Sequence, residues 1–397
     1  MIKKLVLVFV AFITIQSYAQ QGTASPYSFY GIGSLKFKGT VENRSMGRLS
    51  IYNDSIHINL RNPASYASEN LSSPRFNGES RPVKYTIGGG FANLNLKSES
   101  SSAKASSATF NYLALSIPVG RFGVGFSILP QTAVGYKLEN LNDDGDLINQ
   151  YKGEGGLNKV NLGIGYLLAK GLSIGVDANY NFGNIQNNIV EYSYDADGLI
   201  LQYQSKEGNR SDLSGINFNL GLSYKTKINT NLELISGITY APESNLTSNN
   251  QRIISTITIN SSTGTEFPVN SFEANLDALG LKSTDLTLPS RFSFGAGIGK
   301  PRSWFVGGEY TAINSSKFFN PLYSSLTTKY EDGYNVSFGG FFIPRYNSFN
   351  NYYKRVVYRA GLYYEKTGLN INSESINEFG ISFGLCLLVG DLFSNAN

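Results

Sequence analysis

From Val83 onward the chain alternates apolar and polar positions with a period of two, in segments of roughly ten residues. In Leu172-Ser173-Ile174-Gly175-Val176-Asp177-Ala178-Asn179-Tyr180-Asn181-Phe182 every even position is apolar and every odd one small or polar. The same dyad runs through Val160 to Tyr166, Ile216 to Tyr224, Phe292 to Ile298, Val356 to Tyr364 and Phe379 to Leu387. Strands of this kind present one face to an apolar medium and the other to a lumen. A soluble sandwich also alternates, so other features must decide.

Three features favour a membrane barrel. Strands close on aromatics such as Tyr166, Tyr180, Phe182, Tyr224, Tyr240, Trp304 and Tyr310, as interfacial girdles do. Short connections (119–121, 169–171, 226–230, 300–302) alternate with long ones (139–156, 183–212, 242–287, 314–330), the rhythm of tight periplasmic turns and longer outer loops. Charged residues sit at strand ends or on the inward phase.

Twelve strands are legible, near 83–96, 107–118, 121–137, 157–168, 171–183, 213–225, 231–241, 288–299, 303–313, 332–343, 354–366 and 377–389. Glu191 to Tyr203, turning at Asp197-Gly198, and Ile253 to Val269, turning near Ser262-Thr263-Gly264, each read as a further hairpin. Ser271 to Leu279, ended by Gly280, reads as a short surface helix.

The N-terminus changes the picture. Lys3 and Lys4, an apolar run from Leu5 to Ile15 and small residues around Ala19 form a secretory leader, too short to anchor in a bilayer. Its removal takes the formal charge from +4 to +2, which gives no reason to expect a nucleic-acid partner. Thereafter no apolar run is long enough for a spanning helix, so a membrane form must be a closed barrel. Residues 21–81 are too irregular to be a strand of the series and read as a segment placed inside or under the barrel. The lone Cys386 forbids an intramolecular disulfide and reads as a buried, inert thiol.

Within that segment stand Asn62-Pro63-Ala64 and the glycines of Gly31-Ile32-Gly33 and Met46-Gly47-Arg48. Further on come a proline in an early strand (Ile128-Leu129-Pro130) and Leu288-Pro289-Ser290-Arg291-Phe292 ahead of Trp304. On these residues the chain resembles the FadL family of outer-membrane channels, which includes PorV-like proteins. The resemblance implies an all-β, closed, antiparallel transmembrane barrel of 14 strands, with 12 as the alternative count from the pattern. It implies a signal peptide over 1–19, a hatch over 20–81 filling the lumen, and a barrel over 82–397. The barrel would sit in the outer membrane of a Gram-negative bacterium with both termini periplasmic. Its function would be passive uptake of hydrophobic molecules such as fatty acids, leaving sideways where Leu129 and Pro130 kink a strand. The alternative is a barrel that transports nothing and serves as an accessory subunit of an envelope machine, for β-barrel assembly or type IX secretion. Polar outer loops such as 244–250, the aromatic strand 338–342 and the aromatic turn 344–354 favour that alternative.

The chemistry of an enzyme is missing. His57 is the one histidine, and nothing near it in sequence supplies a nucleophile elbow, so it reads as a polar residue of the hatch. Asn142-Asp143-Asp144-Gly145-Asp146 offers oxygen ligands of the calcium type but lacks the full loop pattern, so a solvated turn is the better reading. No Cys/His set exists for zinc, and no cofactor is expected. Lumen-phase charges, Lys159, Asp177, Glu233, Arg291, Glu309, Arg359 and Glu365, are expected to pair among themselves and with hatch groups such as Asp54, His57 and Arg61. The expected surroundings are outer-membrane lipid, a hydrophobic small-molecule ligand, or other envelope proteins.

Overall fold

The computed structural model describes residues 22–387 except 55, 68–82, 99–100, 261, 319–327 and 349, so the expected leader lies outside it. One sheet contains eighteen strands. They are β1 (Ser34–Leu35), β2 (Lys84–Lys97), β3 (Ser102–Val119), β4 (Phe122–Pro130), β5 (Thr132–Leu141) and β6 (Leu147–Ala169). Then follow β7 (Leu172–Glu191), β8 (Gln204–Lys227), β9 (Glu233–Ala241), β10 (Ser244–Ile259), β11 (Glu266–Glu273) and β12 (Ser283–Leu288). The last are β13 (Arg291–Lys300), β14 (Trp304–Ile313), β15 (Thr328–Tyr330), β16 (Gly333–Phe342), β17 (Val357–Ile371) and β18 (Glu374–Cys386). All named pairings are antiparallel.

Several strands are pieces of one row. β4 and β5 both pair with β6, and β9 and β10 both pair with β8. β11 and β12 lie along β10, while β13 continues along β9. β15 and β16 share β17. Merged in this way, β2 to β18 form twelve rows among the described residues. The expected count of fourteen is thus not seen. The hairpins taken as extra strands instead lengthen existing rows: β10 and β11 turn at 260–264, and the 191–203 connection closes with a Tyr194–Ile200 bridge and Gly198 at φ +77°. The stretch read as a helix, 271–279, is the end of β11 followed by turns. Periodicity misled here because the ladder continues past the apolar band: Asn184, Gln186, Asn187 and Asn188 keep β7 paired with β8 although the alternation has faded.

The two phases separate as the pattern requires. Ser173, Asp177, Asn179 and Asn181 are buried on the concave side, while Val176, Tyr180, Phe218 and Leu220 are exposed on the convex side. Phe338 and Phe342 face outward, whereas Phe341 is buried inside, so the run 338–342 splits between the phases.

Inside the curved sheet lies the N-terminal segment, residues 22–67. It holds β1, the one-turn helix α1 (Val41–Arg44) and the 3-10 turn Pro63–Tyr66. Thr40 and Asn43 form a capping box on α1. The apolar side chains of the segment divide into three contacts with the wall. Ile32 packs with Val134, Leu157 and Leu246; Met46, Leu49 and Ile51 with Ile235, Phe305 and Phe341; Ile58, Leu60 and Tyr66 with Tyr112 and Leu129. Each such burial is worth about 1.5–3 kcal/mol relative to exposure.

Candidate functional site

Asn62 is the hinge of the inner segment's deepest contact. Its Oδ1 accepts from the Ala64 N–H at 3.0 Å, capping the turn, and its Nδ2 donates to the Leu222 carbonyl of β8 at 2.9 Å. Pro63 fits the first position of the turn, where no N–H is needed. Beneath the turn four glycines stand on consecutive rungs: Gly123 opposite Gly165, Gly165 opposite Gly175, and Gly175 opposite Gly221. None has room for a side chain. A Cβ on Gly123 would lie 1.9 Å from the Tyr66 carbonyl oxygen, and one on Gly175 2.5 Å from the Ala64 nitrogen. Across the barrel a second belt, Gly307, Gly339 and Gly361, lies under Ile51, Met46 and Gly47. The inward glycines are therefore grooves that admit the segment's backbone.

Charges fasten it further. Arg61 pairs with Glu309 of β14 at 3.2 Å and donates to Ser293 and Thr311. The Ser50 N–H donates to the same carboxylate at 2.8 Å. Asp177 pairs with Lys38 at 3.3 Å and accepts from Asn219, whose amide also donates to the Arg61 carbonyl. Arg48 pairs with Glu365 and Glu378 and lies 3.7 Å over the Tyr363 ring. Lys225 and Glu233 pair within the wall. Lys38, Arg48 and Ser50 were not singled out from the sequence. The cationic run Lys36, Lys38, Arg44, Arg48, in a segment destined for a lumen with inward carboxylates, is a signal from which Lys38 and Arg48 could have been read; Ser50 had none.

His57 and Asp54 form a bond of their own, Nδ1 to Oδ2 at 2.6 Å, with Glu42 3.7 Å from Nε2. Burial works against the charged imidazole, yet Asp54 and Glu42 outweigh it and hold its pKa at about 10. Burial also disfavours the Asp54 carboxylate, but His57 and Lys84 overcome it and depress its pKa. Cys386, expected to be buried, is half-buried with Sγ 4.0 Å from His57 Nε2, because the last strand ends beside the inner segment. Arg359 is buried on β17; Arg291 lies on β13 without an ion pair among the described residues. The acidic loop is a turn in which Asn142 bonds Asp146, and no metal-ligand group of three occurs among the described residues.

Two cavities adjoin the segment. One, of about 530 Å³, opens above it and has a cationic floor of Lys38, Arg61, Lys159 and Arg291 beneath apolar walls that include Leu288 and Phe318. The other, of about 500 Å³, lies beside Pro130, where β4 ends, between Phe110, Thr132 and Phe182. There the β3–β4 ladder stops at Leu113–Ile128, and β5 pairs with β6 and with β1 of the inner segment. No rung joins upper β3 to β5 among the described residues.

The profile of the BamG family matches residues 1–397. The chain belongs to the BamG family. No curated protein matches it by sequence. Among solved structures, this BamG-family chain is similar to the Pseudomonas putida toluene transporter TodX, with 14% identity over 89% of this chain and 90% of that one and a TM-score of 0.51. It is similar also to the monoaromatic hydrocarbon channel CymD, with 14% identity over 90% of this chain and 91% of that one and a TM-score of 0.50. At such identity the likeness is one of fold: the BamG-family chain has the FadL-type architecture that its motifs resemble.

Proposed function

We propose that this chain is an outer-membrane barrel serving as a non-transporting subunit of the β-barrel assembly machinery, with both termini periplasmic and residues 20–81 as a fixed hatch. The observation that carries the reading is the fastening of the inner segment around the wall, from the glycine belt under Pro63 to the Arg61–Glu309 and Arg48–Glu365 pairs. A gate would have to break these contacts together, whereas a scaffold benefits from them. The family's Bam name points the same way. The exposed aromatics of the 344–354 turn, Tyr353 above all, supply a docking surface.

A second reading has its own observation. The cavity beside Pro130, with its break in the wall ladder, suits a sideways exit for a hydrophobic molecule, and the upper cavity pairs an apolar wall with a cationic floor. A fatty acid fits that chemistry.

Purification from the native outer membrane in gentle detergent, followed by sizing and mass spectrometry, separates the two. The subunit reading predicts a stoichiometric complex with other envelope proteins. A monomer carrying an amphiphile in the upper cavity would overturn it and favour uptake.

A further inference from the structure

Charge is divided unequally between the two ends of the barrel. At the end where the connections are tight, five consecutive turns join the rows from β3 to β17. Each carries exposed cations: Arg121 after β3, Lys170 after β6, Lys227 after β8, Lys300 and Arg302 at the β13–β14 turn, and Arg345 and Lys354 after β16. The one carboxylate of these turns, Glu233, is buried against Lys225 at 3.3 Å. At the opposite end the long connections expose Asp143, Asp144, Asp195 and Asp197 instead. The small net charge of the whole chain conceals this separation.

The basic end is also an aromatic end. Phe122, Tyr224, Phe342 and Tyr358 are exposed on the outer face beside these turns. Trp304, the one tryptophan of the chain, follows Arg302 and stands opposite Phe342 on the same outer phase. Aromatics in this position lie at the level of the lipid headgroups. Arg121 ties the charge to that level: it donates to the carbonyls of Leu167 at 3.1 Å and Leu168 at 2.8 Å, and its guanidinium lies 5.5 Å over the Tyr166 ring.

The distribution indicates what the cations meet. Two rows separate one turn from the next, so at about 4.8 Å per row successive turns stand about 10 Å apart along the rim. A folded protein partner meets one sector of a rim, whereas a bilayer leaflet borders all of it. Cations set beside an aromatic girdle and repeated from turn to turn complement a leaflet of phosphodiester headgroups.

We propose that the tight-turn rim gathers anionic phospholipids, holding their phosphodiester headgroups against the cations of the five turns. Which leaflet this is rests on the periplasmic reading of the termini; the headgroup preference does not. Trp304 is a reporter already placed on the rim. The full chain is reconstituted at low salt in phosphatidylcholine vesicles, and its fluorescence is quenched by phosphatidylglycerol or phosphatidylcholine carrying a doxyl group at the fifth acyl carbon. Both leaflets hold the probe, so the direction of insertion does not matter. A Lys or Arg at an anionic surface is worth about fivefold in association, so the phosphatidylglycerol probe should be preferred at least about threefold. About 1 M salt, where the screening length is about 3 Å, should bring the preference close to one. Lys227→Gln, Lys300→Gln and Lys354→Gln combined should at least halve it, while Lys282→Gln at the opposite end leaves it intact. The salt comparison uses the native chain and stands even if the triple variant folds poorly. Equal quenching by the two probes, or a preference that survives both high salt and the triple replacement, would overturn the inference. Absence of the preference together with loss of an acidic co-purifying protein from the triple variant would overturn it too and assign the ring to a protein partner. A monomer in the native membrane would strike the subunit reading and leave this preference standing.

Discussion

The half of the wall formed by β6, β7 and β8 and the half that ends in β2 and β18 are built from the same alternating pattern but held differently. In the first, every row has two neighbours and the inner segment lies in a glycine groove; in the second, the aromatic faces of β2 and β18 are more exposed, Tyr85 and Phe383 above all. The difference teaches that alternation positions a face, whereas neighbours and a filled lumen make a row rigid. The rigid side suits a scaffold.

The largest effect should come from filling the groove. Gly175→Val meets backbone of Pro63 and Ala64 and should destabilise the chain by more than the about 1–3 kcal/mol typical of overpacking, read as a fall in melting temperature in detergent. Gly90→Val, on the free hairpin, meets the amide end of Asn111, which can turn away, and should cost far less. Equal losses would erase the contrast between the two regions.

Next is the buried pair. Glu309→Ala strands the Arg61 guanidinium and the Ser50 N–H and should cost about 3–5 kcal/mol. Lys282→Ala, which breaks the exposed pair with Asp277, should change stability by no more than about 1 kcal/mol.

A smaller, pH-dependent effect belongs to the His57–Asp54 pair. The pKa of His57 is raised from 6.5 to about 10, so its contribution is complete below the unfolded value and is lost as pH rises through about 10. Asp54, held below its usual range, contributes above the carboxylate range and loses that contribution in acid. The melting temperature should thus decline between pH 7 and 10.5, and His57→Gln should flatten the decline. An unchanged slope in that variant would remove His57 from the account.

Smallest of all is Pro130→Ala, expected to shift stability by less than about 1 kcal/mol because Pro130 already ends its segment. Under the subunit reading it leaves complex assembly intact; a selective loss of hydrophobe uptake would favour the channel.

Much of this was legible in the chain. The dyad in 172–182 identified the inward Asp177 and Asn179, and Asn62-Pro63-Ala64 marked the turn that the glycines receive. What the pattern hid was non-local. Lys38 and Arg48 gain their meaning only when a carboxylate from a distant row faces them. The loop hairpins raised the expected strand number because a polar ladder above the apolar band looks like a new strand.

The central claim is that the inner segment is a fixed part of the wall. Native-state hydrogen exchange of the purified chain tests it most directly. The N–H groups of Gly47, bonded to Ser382, of Ser50, bonded to Glu309, and of Ala64, capped by Asn62, should be protected as long as the amides of β6, β7 and β8. Exchange of these three at loop rates, while the wall stays protected, would mean a moving gate and would contradict the account.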